Sequence, residues 1–399
     1  MVLQTTRPPI AFVVPWYGAD IPGGAETECR KTAEQLQQRG HPVVVLTTCG
    51  LQFHSDWGKN YHRPGLTRIN GVTVRRFTVR PRDRHRFHAI NLRLMRGVPI
   101  SAADEAAFMA EMINSDDLCA FIAAHRDDYR FIFIPYMFGT TYWGAQIAPR
   151  NSFIVPCLHD EPYAHMTLLK PVMQSVRGLV LHSPAERELA RALFDIPDAR
   201  LHLLGEGVDT QLAPNPSAFR KPYNICEPYI IYVGRRDETK NTPLLLEYFA
   251  RFKAQHGGDL KLVLIGSGPL PDVARARADI LDAGVVGEQV KIDALAGALG
   301  LCNPSLRESF SLQVMESWAV GRPVLVHADC AVTVGHCQAS HGGLWFKDYA
   351  EFAATVCWLR DHPSEATAMG AQGRQYVQQN FMWDRIIQRL VSVLYRDLD

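Results

Sequence analysis

Residues 10–46 read IAFVVPWYGADIPGGAETECRKTAEQLQQRGHPVVVL. Ile10-Ala11-Phe12-Val13-Val14 is a short, continuous apolar run. It has the length of a strand and no alternation, which suits a strand buried on both faces of a parallel sheet. The turn Pro22-Gly23-Gly24 follows. Ala25, Cys29, Ala33 and Leu36 then recur at helical spacing, and Gly40 stands where a helix stop belongs. Val43-Val44-Val45-Leu46 supplies the next buried strand. A strand, loop, helix and strand within about thirty residues form the repeating unit of doubly wound α/β domains.

Working outward, Phe131-Ile132-Phe133-Ile134, Ser152-Phe153-Ile154-Val155 and Gly178-Leu179-Val180-Leu181 read as further strands. The pattern restarts at Tyr229-Ile230-Ile231-Tyr232-Val233. A polar loop from Gly234, a helix over about 243–255 and a strand over 260–266 follow. Ala213-Pro214-Asn215-Pro216-Ser217 and Arg220-Lys221-Pro222 have the composition of a linker. The boundary is therefore expected between residues 207 and 225. The reading is an α/β chain of two Rossmann-like, doubly wound domains facing across a cleft. The first covers 1–210 and the second 211–375. The end, amphipathic from about 373 to 398, gives a helical segment 376–399 that packs back toward the first domain. Ligands of such sheets bind outside the carboxyl ends of the strands.

The chain has 399 residues, 47% hydrophobic and 21% charged, with a formal net charge of +1. That balance fits a globular protein and carries no global demand for nucleic acid. No run reaches the roughly 18 apolar residues needed to span a bilayer. Nine cysteines show no Cys-x-x-Cys spacing, so reduced thiols in a cytoplasmic protein are expected.

The densest chemistry lies in Pro304-Ser305-Leu306-Arg307-Glu308-Ser309-Phe310-Ser311-Leu312-Gln313-Val314-Met315-Glu316. Glu308 reads as loop, and a helix begins soon after it with Ser309 or Ser311 as N-cap. The first amides of that helix, near Ser311 and Leu312, point at an anion. Glu316, on its second turn, suits the hydroxyls of a diol. A phosphate cradle flanked by two hydroxyl acceptors is what a nucleotide sugar needs. Two solvated glutamates on a surface helix would give the same spacing. In Gly234-Arg235-Arg236-Asp237-Glu238-Thr239-Lys240-Asn241, Arg235 and Lys240 leave the carboxyl end of a strand. Fixed cations there help a departing diphosphate more than a bound one. Local pairing with Asp237 and Glu238 is the plainer reading. Gly23 and Gly24, before Ala25-Glu26, let backbone approach phosphate or simply make a tight turn. Cys157-Leu158-His159-Asp160-Glu161-Pro162 places His159 after a strand, where it can meet a sugar. No partner motif supports a metal among His159, Asp160 and Glu161.

Taken in order, the Gly-Gly-Ala-Glu turn at 23–26, the Gly-Arg-x4-Lys segment at 234–240 and the Glu-x7-Glu segment at 308–316 resemble retaining glycosyltransferases of family 4. Leu203-Leu204-Gly205-Glu206-Gly207-Val208-Asp209 is similar to the segment that closes the first domain of that family. The resemblance covers nearly the whole chain. It implies a GT-B fold with the donor held mainly by the second domain. By that analogy Arg235 and Lys240 bind the diphosphate, aided by Gly23 and Gly24. Glu308 with Ser309, Phe310, Ser311 and Leu312 holds the donor sugar and phosphate, and Glu316 the ribose. Gly266 and Val286 lie near the base, and His159 near the sugar. Glu308, His159, Arg235 and Lys240 form the catalytic set. Retention is implied by attack on the face the diphosphate leaves, with no metal and no cofactor beyond the UDP- or GDP-linked co-substrate. Family members often carry glycine where this chain has Ser309, Ser311 and Asn241.

The expected activity is hexosyl transfer to a glycan, glycolipid or small-molecule acceptor, as in polysaccharide biosynthesis. The alternatives are a nucleotide-sugar-binding subunit or sensor without turnover, and a nucleotide-sugar epimerase or hydrolase. Arg75, Arg76, Arg80, Arg82, Arg84, Arg86, Arg93 and Arg96 crowd residues 75–96. They read either as a solvated mobile loop or as a peripheral contact with the inner membrane surface or a lipid-diphosphate acceptor. Trp345 and Phe346 read as core, with sugar stacking as the other use.

Overall fold

The computed structural model describes residues 7–21 and 23–398, so Pro22 of the first turn lies outside the described residues. The chain forms two compact units. One holds the described residues of Met1–Gly207 and Asp384–Asp399, the other Val208–Trp383.

In the first unit the opening apolar run is β1 (Ile10–Val14), buried at every position. Its sheet also contains β2 (Val43–Thr48), β3 (Gly65–Ile69), β4 (Val72–Phe77), β5 (Arg130–Phe133), β6 (Ser152–Ile154), β7 (Gly178–Leu181) and β8 (Leu201–Leu203). The strand order is β3-β4-β2-β1-β5-β6-β7-β8. β3 runs antiparallel on β4, and the other pairings are parallel. Helices on both faces explain the unbroken hydrophobicity. Ala11, Val13, Phe131 and Phe133 pack on Phe108, Met112 and Phe138 on one face. Each such side chain contributes roughly 1.5–3 kcal/mol when fully buried. The helix Gly24–Gln38 buries Cys29, Thr32, Ala33 and Leu36, the stripe its spacing predicts.

The second unit repeats the plan with β9 (Tyr229–Val233), β10 (Lys261–Ile265), β11 (Ile280–Gly284), β12 (Gly300–Asn303), β13 (Val324–His327) and β14 (Gly343–Phe346). These strands are parallel in the order β11-β10-β9-β12-β13-β14. The winding direction reverses between β9 and β12, as it does between β1 and β5 in the first sheet. Crevices for ligands open at such reversals.

Three segments differ from the sequence reading. The proline-rich stretch contains a short helix, Pro216–Arg220, with Phe219 buried. Arg220 donates to the Gly297 and Glu227 carbonyls and stacks on Tyr229, so this stretch packs on its unit instead of hanging free. The C-terminal segment is two helices, Pro363–Asn380 and Trp383–Tyr395. They part at Phe381, whose carbonyl accepts from the Val208 amide while its ring packs on Phe310, His336 and Tyr376. The second of these helices lies mostly in the first unit, where Tyr395 Oη donates to the Pro8 carbonyl. Residues 75–96 are not one loop. They are the end of β4, a connection over 78–83 that carries Arg80 and Arg82, and the helix Arg84–Met95. Arg76 is buried and donates to the Tyr17 and Thr48 carbonyls. Arg84 pairs with Asp56, Arg93 with Asp104, and Arg82 covers Trp57 and Phe87. Of the aromatic pair at 345–346, Phe346 is core and Trp345 is exposed. No helix among the described residues is long and apolar enough to cross a membrane.

Candidate active site

The carboxyl ends of β9 and β12 lie side by side at the reversal point of the second sheet, and both continue into loops rich in charge. From β9 the chain passes Gly234, Arg235 and Arg236 to Lys240. From β12 it passes Asn303 and Pro304 to Glu308. Lys240 Nζ donates to Glu308 Oε1 at 2.8 Å, with the carboxylate side chain 8% exposed. Arg235, nearly half exposed, stands 3.4 Å from Asp237. Asp237 also accepts from Thr239 and from the Lys240 amide. These bonds outweigh its burial and hold its carboxyl below the usual range.

Each loop has a buried polar anchor. Arg236 donates to the Gly266 and Gly268 carbonyls and to Asp282, tying the loop after β9 to the loop after β10 and to β11 itself. Gly266 presses so closely there that a Cβ would stand 2.0 Å from the Gly234 carbonyl oxygen. The Asn303 side chain spans the other loop. Its Oδ1 accepts from the Ser305 amide and its Nδ2 donates to Ser311 Oγ. Asn241 Nδ2 ties the two loops, donating to the Pro304 carbonyl at 3.1 Å.

Ser311 occupies the N-cap position of the helix Leu312–Ala319 but caps it differently from the sequence reading. Its backbone is left-handed, φ 72°, and its hydroxyl is engaged with Asn303 instead of a first-turn amide. Ser309 stays in the loop, half-buried. Asn241 is also left-handed, φ 55°. Two of the positions where this chain departs from glycine therefore keep the backbone that glycine favours. Phe310 is fully buried. The amides of Leu312 and Gln313 have no carbonyl four residues back inside the helix, which makes this end receptive to an anion.

Glu316, buried on the same helix, accepts from Lys291 at 2.7 Å. Lys291 lies on the helix Glu288–Gly297 and also pairs with Glu288. Burial alone would weaken the hold of this amine on its proton, but the two carboxylates outweigh it and raise its pKa. Val286 sits two residues before that helix, in the loop after β11. Lys291, Arg236 and Asn303 are thus the working residues the sequence reading passed over. Arg236 and Lys291 act on segments distant in sequence, and the Asn303 bonds depend on the fold of the loop that follows it.

The remaining candidates belong to the first unit. Gly23 and Gly24 open the helix Gly24–Gln38, with open space around Gly24. His159 lies beyond β6, with Nδ1 3.8 Å from Glu161. Glu161 also accepts from Tyr136 Oη. Asp160 turns outward to His165.

Comparisons with known proteins bear on the family and the fold. Residues 23–207 match the family described as glycosyl transferase 4-like domain, and residues 227–362 the family of glycosyl transferases group 1. A glycosyltransferase of Methanocaldococcus jannaschii is 22% identical over 408 residues, covering 96% of this chain and 97% of that protein. An MMP alpha-(1->4)-mannosyltransferase of Mycolicibacterium hassiacum is 28% identical over 242 residues, covering 58% of this chain. That match spans 57% of the mannosyltransferase's own length. Among solved structures, sucrose-phosphate synthase of Thermosynechococcus elongatus superposes with a TM-score of 0.69 at 19% identity, covering 98% of this chain and 99% of that one. Anabaena HepE in complex with UDP-glucose superposes with a TM-score of 0.71 at 13% identity, covering 98% and 100%. With one family match on each sheet and the GT-B fold in both solved relatives, the chain belongs to the group 1 glycosyl transferases, the retaining family 4 enzymes that take a sugar from a nucleotide-sugar donor.

Proposed function

We propose that the second unit holds a UDP- or GDP-linked sugar and that the enzyme transfers the sugar, with retention, to a carbohydrate or lipid-linked acceptor. The observation that carries this reading is the Lys240–Glu308 pair across the β9–β12 reversal, with Arg235 beside it and a helix N-terminus on the same loop. Breaking the sugar–phosphate bond concentrates negative charge on the leaving diphosphate. Lys240, Arg235 and the first amides of the helix Leu312–Ala319 stabilise that charge where it develops. Such a preorganised donor is typically worth 10²–10³ in kcat. Glu308 orients Lys240 and accepts from sugar hydroxyls. Glu316, held by Lys291, accepts from the ribose, and Gly266 and Val286 border the base. For Gly23, Gly24 and His159 the support is the family resemblance, which assigns the turn to the phosphate and the imidazole to the sugar.

A thermal-shift screen with UDP- and GDP-sugars tests the donor. A ligand that binds only the folded state raises the melting temperature, by about 2.7 kcal/mol of stabilisation at a hundredfold excess over Kd. Nucleotide release that requires an added acceptor marks a transferase. Release at the same rate without one marks a hydrolase.

We place the enzyme in the cytoplasm, where the buried thiols Cys29, Cys302, Cys330 and Cys337 serve as small apolar core residues. Its peripheral membrane contact is assigned to the end of the helix Arg84–Met95. There Leu92, Met95 and Val98 are exposed beside Arg96. Apolar side chains flanked by cations suit an anionic bilayer surface. Co-sedimentation with phosphatidylglycerol vesicles, reduced in Met95→Ser and by salt, is the expected result. Vesicles that leave the protein in the supernatant at low salt contradict it.

A further inference from the structure

Behind the first-unit candidates lies a cluster of different chemistry. Glu28 comes from the helix Gly24–Gln38, one turn after Gly24. Cys157 comes from the loop beyond β6, two residues before His159, and His182 from the end of β7. Their donor atoms all fall within 4.8 Å of one another. His182 Nε2 is 3.2 Å from Glu28 Oε2, and Cys157 Sγ is 3.7 Å from the same oxygen. The His182 side chain is 1% exposed and that of Glu28 11%. Ordinary zinc bond lengths in a tetrahedron require nitrogen–oxygen and sulfur–oxygen separations of about 3.3 and 3.5 Å. Two edges of a ligand face are therefore already close to metal-binding size.

From this arrangement we infer that Glu28, Cys157 and His182 form a site for a single divalent transition metal, zinc by ligand type. Thiolate, imidazole and carboxylate are ligands zinc accepts. One thiolate and one carboxylate neutralise a divalent ion, which a buried site requires. The Cys157 thiol proton leaves to solvent as the sulfur–metal bond forms. A water would complete the tetrahedron as fourth ligand, as in open zinc sites.

The surroundings are built like an outer ligand shell. Glu186, fully buried, accepts from the Leu158 amide at 2.7 Å and from the His182 amide at 2.6 Å. It thereby fixes the backbone of two of the three ligand segments, as outer-shell carboxylates do. Cys157 itself has a left-handed backbone, φ 51°, a conformation uncommon outside glycine, asparagine and aspartate. The ligands come from three separate elements, so no sequence spacing announces the site. The ion would clip the helix behind Gly24 to the loop that carries His159.

The test is a cobalt titration of the chelator-treated whole protein, a readout independent of transferase activity. One equivalent of Co²⁺ is expected to give a thiolate-to-cobalt band in the near ultraviolet and the strong visible bands of a four-coordinate ion, both displaced by Zn²⁺. Cys157→Ser removes the near-ultraviolet band, and His182→Gln weakens binding at least about tenfold. Cys29→Ser and the exposed-thiol variant Cys226→Ser keep both features. If the Cys157 variant does not fold, judged by circular dichroism, the wild-type titration still decides. Wild-type protein without a stoichiometric cobalt spectrum overturns the inference, leaving a hydrogen-bonded triad. So does a near-ultraviolet band that survives in folded Cys157→Ser.

Discussion

β1 and β9 hold equivalent places in their sheets. Each is flanked by the next strand on one side and, on the other, by a strand reached after the winding reverses. What leaves their carboxyl ends differs. After β9 the chain is clamped, with Arg236 on the loop after β10 and on Asp282 of β11, Gly266 against the Gly234 carbonyl, and Lys240 on Glu308. After β1 it reaches Gly24, where a Cβ would meet nothing within 4 Å, and the polar cluster lies one turn further along the helix. The same fold has placed rigid fixed charge at one reversal and open backbone at the other. Preorganised charge is what stabilises a leaving group, which is the ground on which we propose the second unit for the donor chemistry.

Two glycines break the comparison most sharply. Gly266→Ala forces a Cβ to 2.0 Å from backbone at φ 130°. A loss of about 3–5 kcal/mol is expected in urea unfolding, since backbone on both sides must move. A loss below about 1 kcal/mol would show that the loops after β9 and β10 are not clamped.

His336 makes the second unit sensitive to acid. Burial pushes its pKa down to about 4, while Nδ1 faces Tyr376 Oη and the ring packs on Phe310 of the candidate site. The unfolded chain takes up this proton near pH 6.5 and the folded chain only near 4. Stability is therefore complete above about pH 6.5 and falls by roughly 3 kcal/mol as pH drops toward 4. Urea midpoints across that range should flatten in His336→Asn, and an unchanged slope would remove this histidine from the account.

Gly24→Ala is the counterpart of Gly266→Ala and should act in the opposite direction. With nothing within 4 Å and a helical backbone, alanine stabilises by about 0.5–1 kcal/mol. Turnover falls nonetheless if the phosphate approaches this turn. Unchanged turnover would remove Gly24 from the donor site. Ser311→Gly is expected to have the smallest effect, within about 0.5 kcal/mol of wild type by thermal melting. Relief of the left-handed backbone, about 1 kcal/mol, offsets loss of the Asn303 bond of similar size. A larger change in either direction would reveal which term dominates.

The repeating strand–helix plan could be read from the sequence because β1, β2 and β9 are buried on both faces and carry uninterrupted apolar runs. β3 could not, because four of its five residues are exposed and its partner is antiparallel. The later strands are only four or five residues long; Asp282 interrupts the middle of β11, and Asn303 and His327 end β12 and β13. Glu308, Lys240 and Glu316 were legible as types at a spacing. Lys291 was not, because its pairing with Glu316 depends on which elements the sheet brings together. The arginines of 75–96 show the converse difficulty. A charge run does not tell which of its members cover aromatic rings or pair with carboxylates, as Arg82, Arg84 and Arg93 do, and which stay exposed, as Arg96 does.

The central claim concerns the diphosphate, and calorimetric titration tests it most directly. UDP, GDP and their parent nucleosides are titrated into wild type and Lys240→Ala. Removing the lysine leaves Glu308 without this partner, at a cost of about 1–3 kcal/mol, which a folded domain survives. The diphosphate of the matching base should bind at least about tenfold more weakly to the variant, and its nucleoside equally to both. Equal loss for nucleoside and diphosphate, or no loss for either, would contradict the account.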